Sequence, residues 1–185
     1  MINPDLIAPE TVRPFSRQEY DRMVEQGLLG DERVELLAGA LIRMAPQGPE
    51  HAEVITKLQE LLVEATHGSA RVRTQMPFAA SDDSQPEPDL ALVPPGDYSK
   101  AHPARALLIV EVADATRRKD RELKSRIYAE AGVPEYWVVD LVKRRIEVRR
   151  RPLEGDYTEL KSVTAGVLRP DAFPDVEVPV SQVLG

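Results

Sequence analysis

Apolar and polar positions alternate at two different periods along this chain, and the changes of period mark its elements. FSRQEYDRMVEQG, from Phe15 to Gly27, has helical spacing and marked ends. Ser16 stands at the N-cap position with Glu19 three residues on, the pattern of a capping box. Phe15 and Tyr20 are placed as a hydrophobic staple across that cap, and Gly27 stops the helix. RVELLAGALIRM, 33–44, has two short apolar runs about Ala38-Gly39 and predicts a hairpin. After Gly48 and Pro49, which suit a helix start, Val54, Ile55, Leu58, Leu61, Leu62 and Ala65 form one stripe at helical spacing, closed by Gly68. His51 precedes Val54 by three residues and Ile55 by four, which places it on the inward face of the first turn.

Strand patterns dominate the chain beyond Gly68. Residues 70–79 alternate and predict a strand. PEPDLALV holds its approach extended through Pro86 and Pro88, then runs apolar after Asp89. ALLIVEV, 106–112, is the most apolar strand of the chain and predicts cover on both faces. Residues 119–131 form a helical segment ended by Gly132 and Pro134. EYWVVD and RIEVRR come next as a strand pair around a basic turn, with Tyr136 and Trp137 as core. The tail, punctuated by Pro170, Pro174 and Pro179, predicts short strands and turns packed on the sheet. Strands flanked by helices give a mixed α/β layer fold. We expect residues 1–14 to be an extended arm and 15–185 a single domain.

Composition narrows the chemistry. The 185 residues include no cysteine, which excludes disulfides, thiolate metal sites and a cysteine nucleophile, and which fits a reducing cytoplasm. No apolar run reaches membrane-span length, and the N-terminus lacks a basic region followed by a long apolar core. A net charge of -7 excludes reliance on a broad basic surface, so any nucleic-acid contact falls to local clusters: 117–119, 143–145 and 149–151. Each of these also suits a solvated turn or edge strand. His67 and His102 read as loop residues. There is no glycine-rich phosphate loop, dinucleotide fingerprint or Ser-His-Asp pattern.

Two acids stand out. Glu111 interrupts the most apolar strand, where an unpaired carboxylate costs several kcal/mol. Asp89 opens another strand, as a turn-former or as a ligand. Neighbouring strands that bring these ends together place two carboxylates within repulsive range, unless a proton or a divalent cation lies between them. Oxygen ligands in a partly open site suit Mg²⁺ or Mn²⁺. Asp120, Lys124 and Tyr128 follow at four-residue steps on one helical face. Asp120 and Lys124 read either as a surface ion pair or, for Lys124, as an ammonium facing the carboxylates.

A PD dipeptide followed about 20 residues later by E-V resembles the PD-(D/E)XK nuclease core. More specifically, VELLAGALIRM, the histidine of PEH, PEPDLALV, LLIVEV, RRKDRELKSRIYAEAGVPEYWVVD and RIEVRR together resemble the Uma2 family over roughly residues 15–151. The resemblance implies a restriction-endonuclease-like mixed β-sheet flanked by helices, with an N-terminal helix and hairpin. It implies Asp89 and Glu111 as ligands of Mg²⁺ or Mn²⁺, with the carbonyl of Val112 beside them. The lysine usual two residues after the acid is replaced by Ala113, and in the Uma2 pattern Lys124 on the next helix supplies the charge. Glu35 and His51 match the family's N-terminal site positions, and Gln75 and Tyr128 are further accessory candidates. The implied activity is metal-dependent hydrolysis of nucleic-acid phosphodiesters, DNA before RNA, by a homodimer. The rival readings are an inactive nucleic-acid or protein interaction module on the same fold, and a metal-dependent hydrolase of a smaller phosphate ester.

Overall fold

The computed structural model describes residues 13–113 and 118–185, with side chains in the third helix described from Glu122 onward. The arm 1–14 falls almost entirely outside the described residues, as do the side chain of Asp120 and the cluster 117–119. The described chain opens with α1 (Arg17–Glu25), which begins as its sequence dictates. The Ser16 side chain accepts from the Glu19 amide, and the Glu19 carboxylate accepts from the Ser16 amide. Two strands come after it, β1 (Val34–Leu37) and β2 (Ala40–Arg43), paired antiparallel. Their two-residue turn puts Ala38 and Gly39 at φ 48° and 76°, the left-handed pair that the twist of a tight hairpin favours.

Helix α2 (Pro49–Thr66) starts at the Gly48 N-cap. It ends at His67, which takes the left-handed conformation (φ 46°) ahead of Gly68. His67 is therefore the helix's C-cap. The main sheet is built from β3 (Arg71–Thr74), β4 (Leu90–Val93), β5 (Leu108–Ala113), then, after α3 (Arg118–Glu130), β6 (Glu135–Asp140), β7 (Arg145–Leu153) and β8 (Asp156–Val163). The six strands lie in that order; β5 and β6 are parallel across the α3 crossover and every other pair is antiparallel. A small pair, β9 (Val167–Leu168) with β10 (Val178–Pro179), and the short α4 (Val180–Leu184) complete the described chain.

Two expectations need correction. Only 71–74 of the predicted 70–79 strand joins the sheet. Gln75 takes φ 51° and donates its amide to the carbonyls of Pro88 and Asp89, so the chain leaves the ladder there. The tail, in turn, contains a full eight-residue edge strand, β8. Its outward positions are polar or exposed, and only Tyr157 and Val163 turn partly or wholly inward, so apolar periodicity did not reveal it.

The sheet is sandwiched. On one face Leu90, Leu92, Leu108, Val110, Val112, Trp137 and Val139 pack against Val54, Ile55, Leu58 and Leu62 of α2 and against the tail residues Val178, Val180 and Val183. On the other, Ala91, Ile109, Ala113, Tyr136 and Val138 pack against Tyr128 and Ala129 of α3. Both faces of β5 are thus covered, as its continuous apolar run predicts, and each fully buried aliphatic side chain there contributes about 1.5–3 kcal/mol. Period-2 alternation then puts Glu111 on the α3 face, between Ile109 and Ala113.

Candidate active site

Strand register brings the two acids together. The last pair of the β4–β5 ladder is Leu90 with Val110, so one step further places Asp89 opposite Glu111. Pro88 supplies no N–H to extend the ladder. The Asp89 side chain instead satisfies a donor of the facing strand: Oδ2 accepts from the Val112 amide at 2.8 Å. On the α3 face, Lys124 and Tyr128 lie one helical turn apart and both donate to Oε1 of Glu111, at 3.1 and 2.7 Å. Lys124 Nζ is also 2.9 Å from Oε2 of Glu35, which in turn accepts from the Glu87 amide at 3.0 Å. One ammonium therefore ties the hairpin strand β1 to the central strand β5. Lys124 is not half of a surface pair; its side chain is only 10% exposed.

The remaining candidates lie around these groups at differing distances. His51, buried in the first turn of α2, holds Nε2 3.2 Å from Asp89 Oδ2, without the alignment of a hydrogen bond. Gln47 Nε2 lies 3.5 Å from Asp89 Oδ1. Val112 reaches the site through its backbone. Gln75 touches it only indirectly, through its amide bonds to Pro88 and Asp89, and its side chain does not line the cavity. Asp89, Glu111, Lys124, Glu35, His51 and Tyr128 thus converge, and Gln75 stands apart.

Charge is unbalanced in this cluster. Glu35, Asp89 and Glu111 are all buried, and they face one buried ammonium. Burial pushes the Glu111 carboxyl up to about 7; Lys124 pulls it down, and the Asp89 and Glu35 carboxylates add to the rise. For Lys124 burial acts to lower the pKa, yet Glu111 and Glu35 together hold it above its ordinary value. Tyr128 is raised by burial and by the Glu111 charge, so it stays a hydrogen-bond donor. Among the described residues no three His, Asp or Glu side chains form a closed metal cluster. What converges is an open set: carboxylate oxygens of Asp89 and Glu111 beside the Val112 backbone, in a cluster short of positive charge. That donor set fits a hard divalent cation completed by water.

The cluster lines a cavity of about 80 Å³ whose opposite wall is the open end of the hairpin, with Arg33, Ile42, Arg43 and Met44. Glu87, 3.7 Å from Arg33, completes the rim, and burial raises its carboxyl too. Sequence reasoning missed Arg33, Arg43, Gln47 and Glu87. The available signal was that Arg33 immediately precedes β1, which carries Glu35, and that Arg43 ends its hairpin partner β2.

An antiparallel β4–β5 pair with facing acids, a parallel β5–α3–β6 crossover and a lysine over the acid define a restriction-endonuclease-like α/β fold. The family comparison agrees: the model of Uma2, described as "Putative restriction endonuclease", matches residues 17–181, and the chain belongs to that family. Among solved structures, the fold is similar to the crystal structure of "a putative nuclease belonging to DUF820" from Anabaena variabilis ATCC 29413. The TM-score is 0.71 at 15% identity, over 92% of this chain and 98% of that one. None of the curated proteins compared matches the chain. Among the described residues no helix is long and apolar enough to cross a membrane.

Proposed function

We propose that the protein is a divalent-metal-dependent endonuclease that hydrolyses phosphodiester bonds in nucleic acid, DNA before RNA. The observation that carries this reading is the meeting of Asp89 and Glu111 across β4–β5 beneath a single lysine. Asp89, Glu111 and the Val112 carbonyl would hold Mg²⁺ or Mn²⁺, which would supply Lewis-acid polarisation of the phosphate and a more acidic bound water. The chain's own groups do the rest. The Val112 amide fixes the rotamer of Asp89. Tyr128 holds Glu111 through one oxygen, leaving the other to turn toward the cavity. Lys124 offsets charge that grows on the phosphate, and it does so from a helix because only the ammonium's position matters. Glu35 keeps that ammonium between hairpin and strand, and His51 packs against Asp89 from the other layer. A duplex target favours a homodimer, which presents one site to each strand.

One observation favours a second reading. Lys124 is engaged by two carboxylates at 2.9 and 3.1 Å, as in a structural ion triad, which suits an interaction module that has lost its chemistry. The deciding experiment measures Mn²⁺ binding by calorimetry and cleavage of labelled DNA and RNA and of a small chromogenic phosphodiester, for the wild type and Asp89→Asn. Metal-dependent cleavage lost in the variant supports the nuclease. Folded wild-type protein that binds no Mn²⁺ and cuts nothing supports the interaction module. Metal binding with turnover of small phosphodiesters alone supports a hydrolase of smaller esters.

A further inference from the structure

Sheets end in edges, and the edges of this chain differ in kind. The β1–β2 hairpin has four-residue strands, and its turn is docked on the body of the protein: the Gly39 amide donates to the Asp83 carbonyl, and the Ala38 amide to the Ser84 hydroxyl. A Cβ on Gly39 would collide with Pro14. On the main sheet, β3 is a four-residue edge that carries Arg71 and Arg73, and Gln75 turns the chain out of it at φ 51°. Short, charged and broken edges of this kind resist an added strand. The other edge, β8, is the opposite case. It runs eight residues, contains no proline, and among the described residues only β7 pairs with it. Residues 158–162 are all exposed, and Leu160 in their middle is 66% exposed.

Leu160 stands between charges of opposite sign, Glu159 and Lys161. Lys161 makes no ion pair among the described residues, and Glu159 makes a loose one, 3.5 Å from Arg151 with both side chains well exposed. This order is self-complementary. Two copies of β8 related by a two-fold axis perpendicular to the sheet run antiparallel, and each face of one sheet continues into the same face of the other. The axis must then pass where a residue faces its own copy. With the axis at Leu160, the two leucines meet, Glu159 of each copy lies opposite Lys161 of the other, and Thr158 lies opposite Ser162. With the axis at Glu159 or Lys161, like charges face each other. At Thr158 or Ser162, both charges face uncharged residues.

We propose that β8 is a self-association edge: two copies of this chain pair their β8 strands antiparallel about Leu160 and join their six-stranded sheets into one. The cross-sheet row through Glu111 runs to Val138, Glu147 and Ser162. The joined edge therefore lies three strand spacings, about 14 Å, from the acids. No residue lining the catalytic cavity belongs to β7 or β8. Each copy keeps its own complete site, so the pairing stands or falls apart from the nuclease reading.

One strand a side makes a small interface, so the population of dimer rises with protein concentration. The test is sedimentation velocity of the intact protein from micromolar to sub-millimolar concentration. Wild type is expected to pass from monomer to dimer over that range. Glu159→Lys and Lys161→Glu, both at exposed side chains, are each expected to weaken association by roughly tenfold or more, because each sets two like-charged pairs across the axis. An equimolar mixture of the two variants is expected to associate at wild-type strength, since every pair across the axis is then of opposite sign. Wild type that stays monomeric at the highest concentration overturns the proposal, and so does a wild-type dimer that neither substitution weakens. A mixture that associates no better than its components overturns the pairing about Leu160.

Discussion

Replacing Lys124 by Met separates structure from chemistry at this site. The side chain keeps its length and loses its charge. At an effective dielectric of about 20, attraction across 2.9 and 3.1 Å is about 6 and about 5 kcal/mol, before the cost of desolvating all three groups. Because the pair is buried, the net loss on breaking it is expected to be about 3–5 kcal/mol, as two carboxylates are left without a cation. A second substitution, Glu35→Gln, removes one of those stranded charges. The double variant should therefore be more stable than Lys124→Met alone, an inversion that a surface pair would not give. Denaturant melts at pH 7.5 read this directly. Metal binding moves the opposite way: with a competing cation gone from Glu111, folded Lys124→Met should bind Mn²⁺ more tightly than wild type. Cleavage should fall by about 10²-fold or more, since transition-state charge loses its partner. A folded Lys124→Met that binds Mn²⁺ more weakly, or that cuts within about threefold of wild type, would refute the roles assigned to this lysine.

The same buried cluster sets a pH dependence of stability. Glu111 rises from 4.5 to about 7, so its native form keeps a proton that the unfolded chain releases. The stability this provides is complete below about pH 4.5 and is lost as pH climbs to about 7, an effect of about 3 kcal/mol. Metal-free wild type should accordingly lose that much relative to Glu111→Gln between pH 5 and 8; parallel melts across the range would refute it, and added Mn²⁺ should restore the wild type at pH 8. Tyr128→Phe strips one donor from a buried carboxylate, so it should cost about 1–3 kcal/mol and push the Glu111 transition to higher pH, seen as a shifted pH–melting curve. Glu135, fully buried at the start of β6, accepts from Arg150, Trp137 Nε1 and the Asp171 amide. Glu135→Gln should destabilise by about 3–5 kcal/mol while Mn²⁺ affinity in the folded fraction stays at the wild-type value.

How much of the fold and site was legible in the sequence depends on how local the cause was. The capping box at Ser16, the Ala38-Gly39 turn and the α2 stripe each arise from residues within a few positions of one another, and each formed where expected. The anomaly of Glu111 was legible too, because an acid amid Leu108, Ile109 and Val110 has no ordinary reason to be there. The β8 strand was not: an edge strand whose outward residues are mostly polar has weak periodicity, and it forms because β7 offers it a ladder. Arg33, Arg43 and Glu87 were missed for a related reason. They become site residues only when the hairpin docks over β5, and nothing in RVELLAGALIRM states what its open end will face. Gln75 illustrates the converse. Extending the strand through it suggested an inward side chain, but its positive φ turns it out of the register.

The docked hairpin also explains how a displaced lysine can be tolerated. In a site with lysine two residues after the acid, strand alternation alone would set the ammonium beside the carboxylate. Ala113 leaves that position empty, and a lysine on α3 has a long, flexible stem that must be held. Glu35 does the holding: it draws Nζ to 2.9 Å while the ammonium stays 3.1 Å from Glu111. Glu35 is in turn held by the Glu87 amide, at the rigid PEP approach that also positions Asp89. The hairpin, the PEP segment and α3 are thus three supports of one charge. Loss of the hairpin's docking, at Gly39 for example, should disturb the position of Lys124 without altering any residue that touches Glu111.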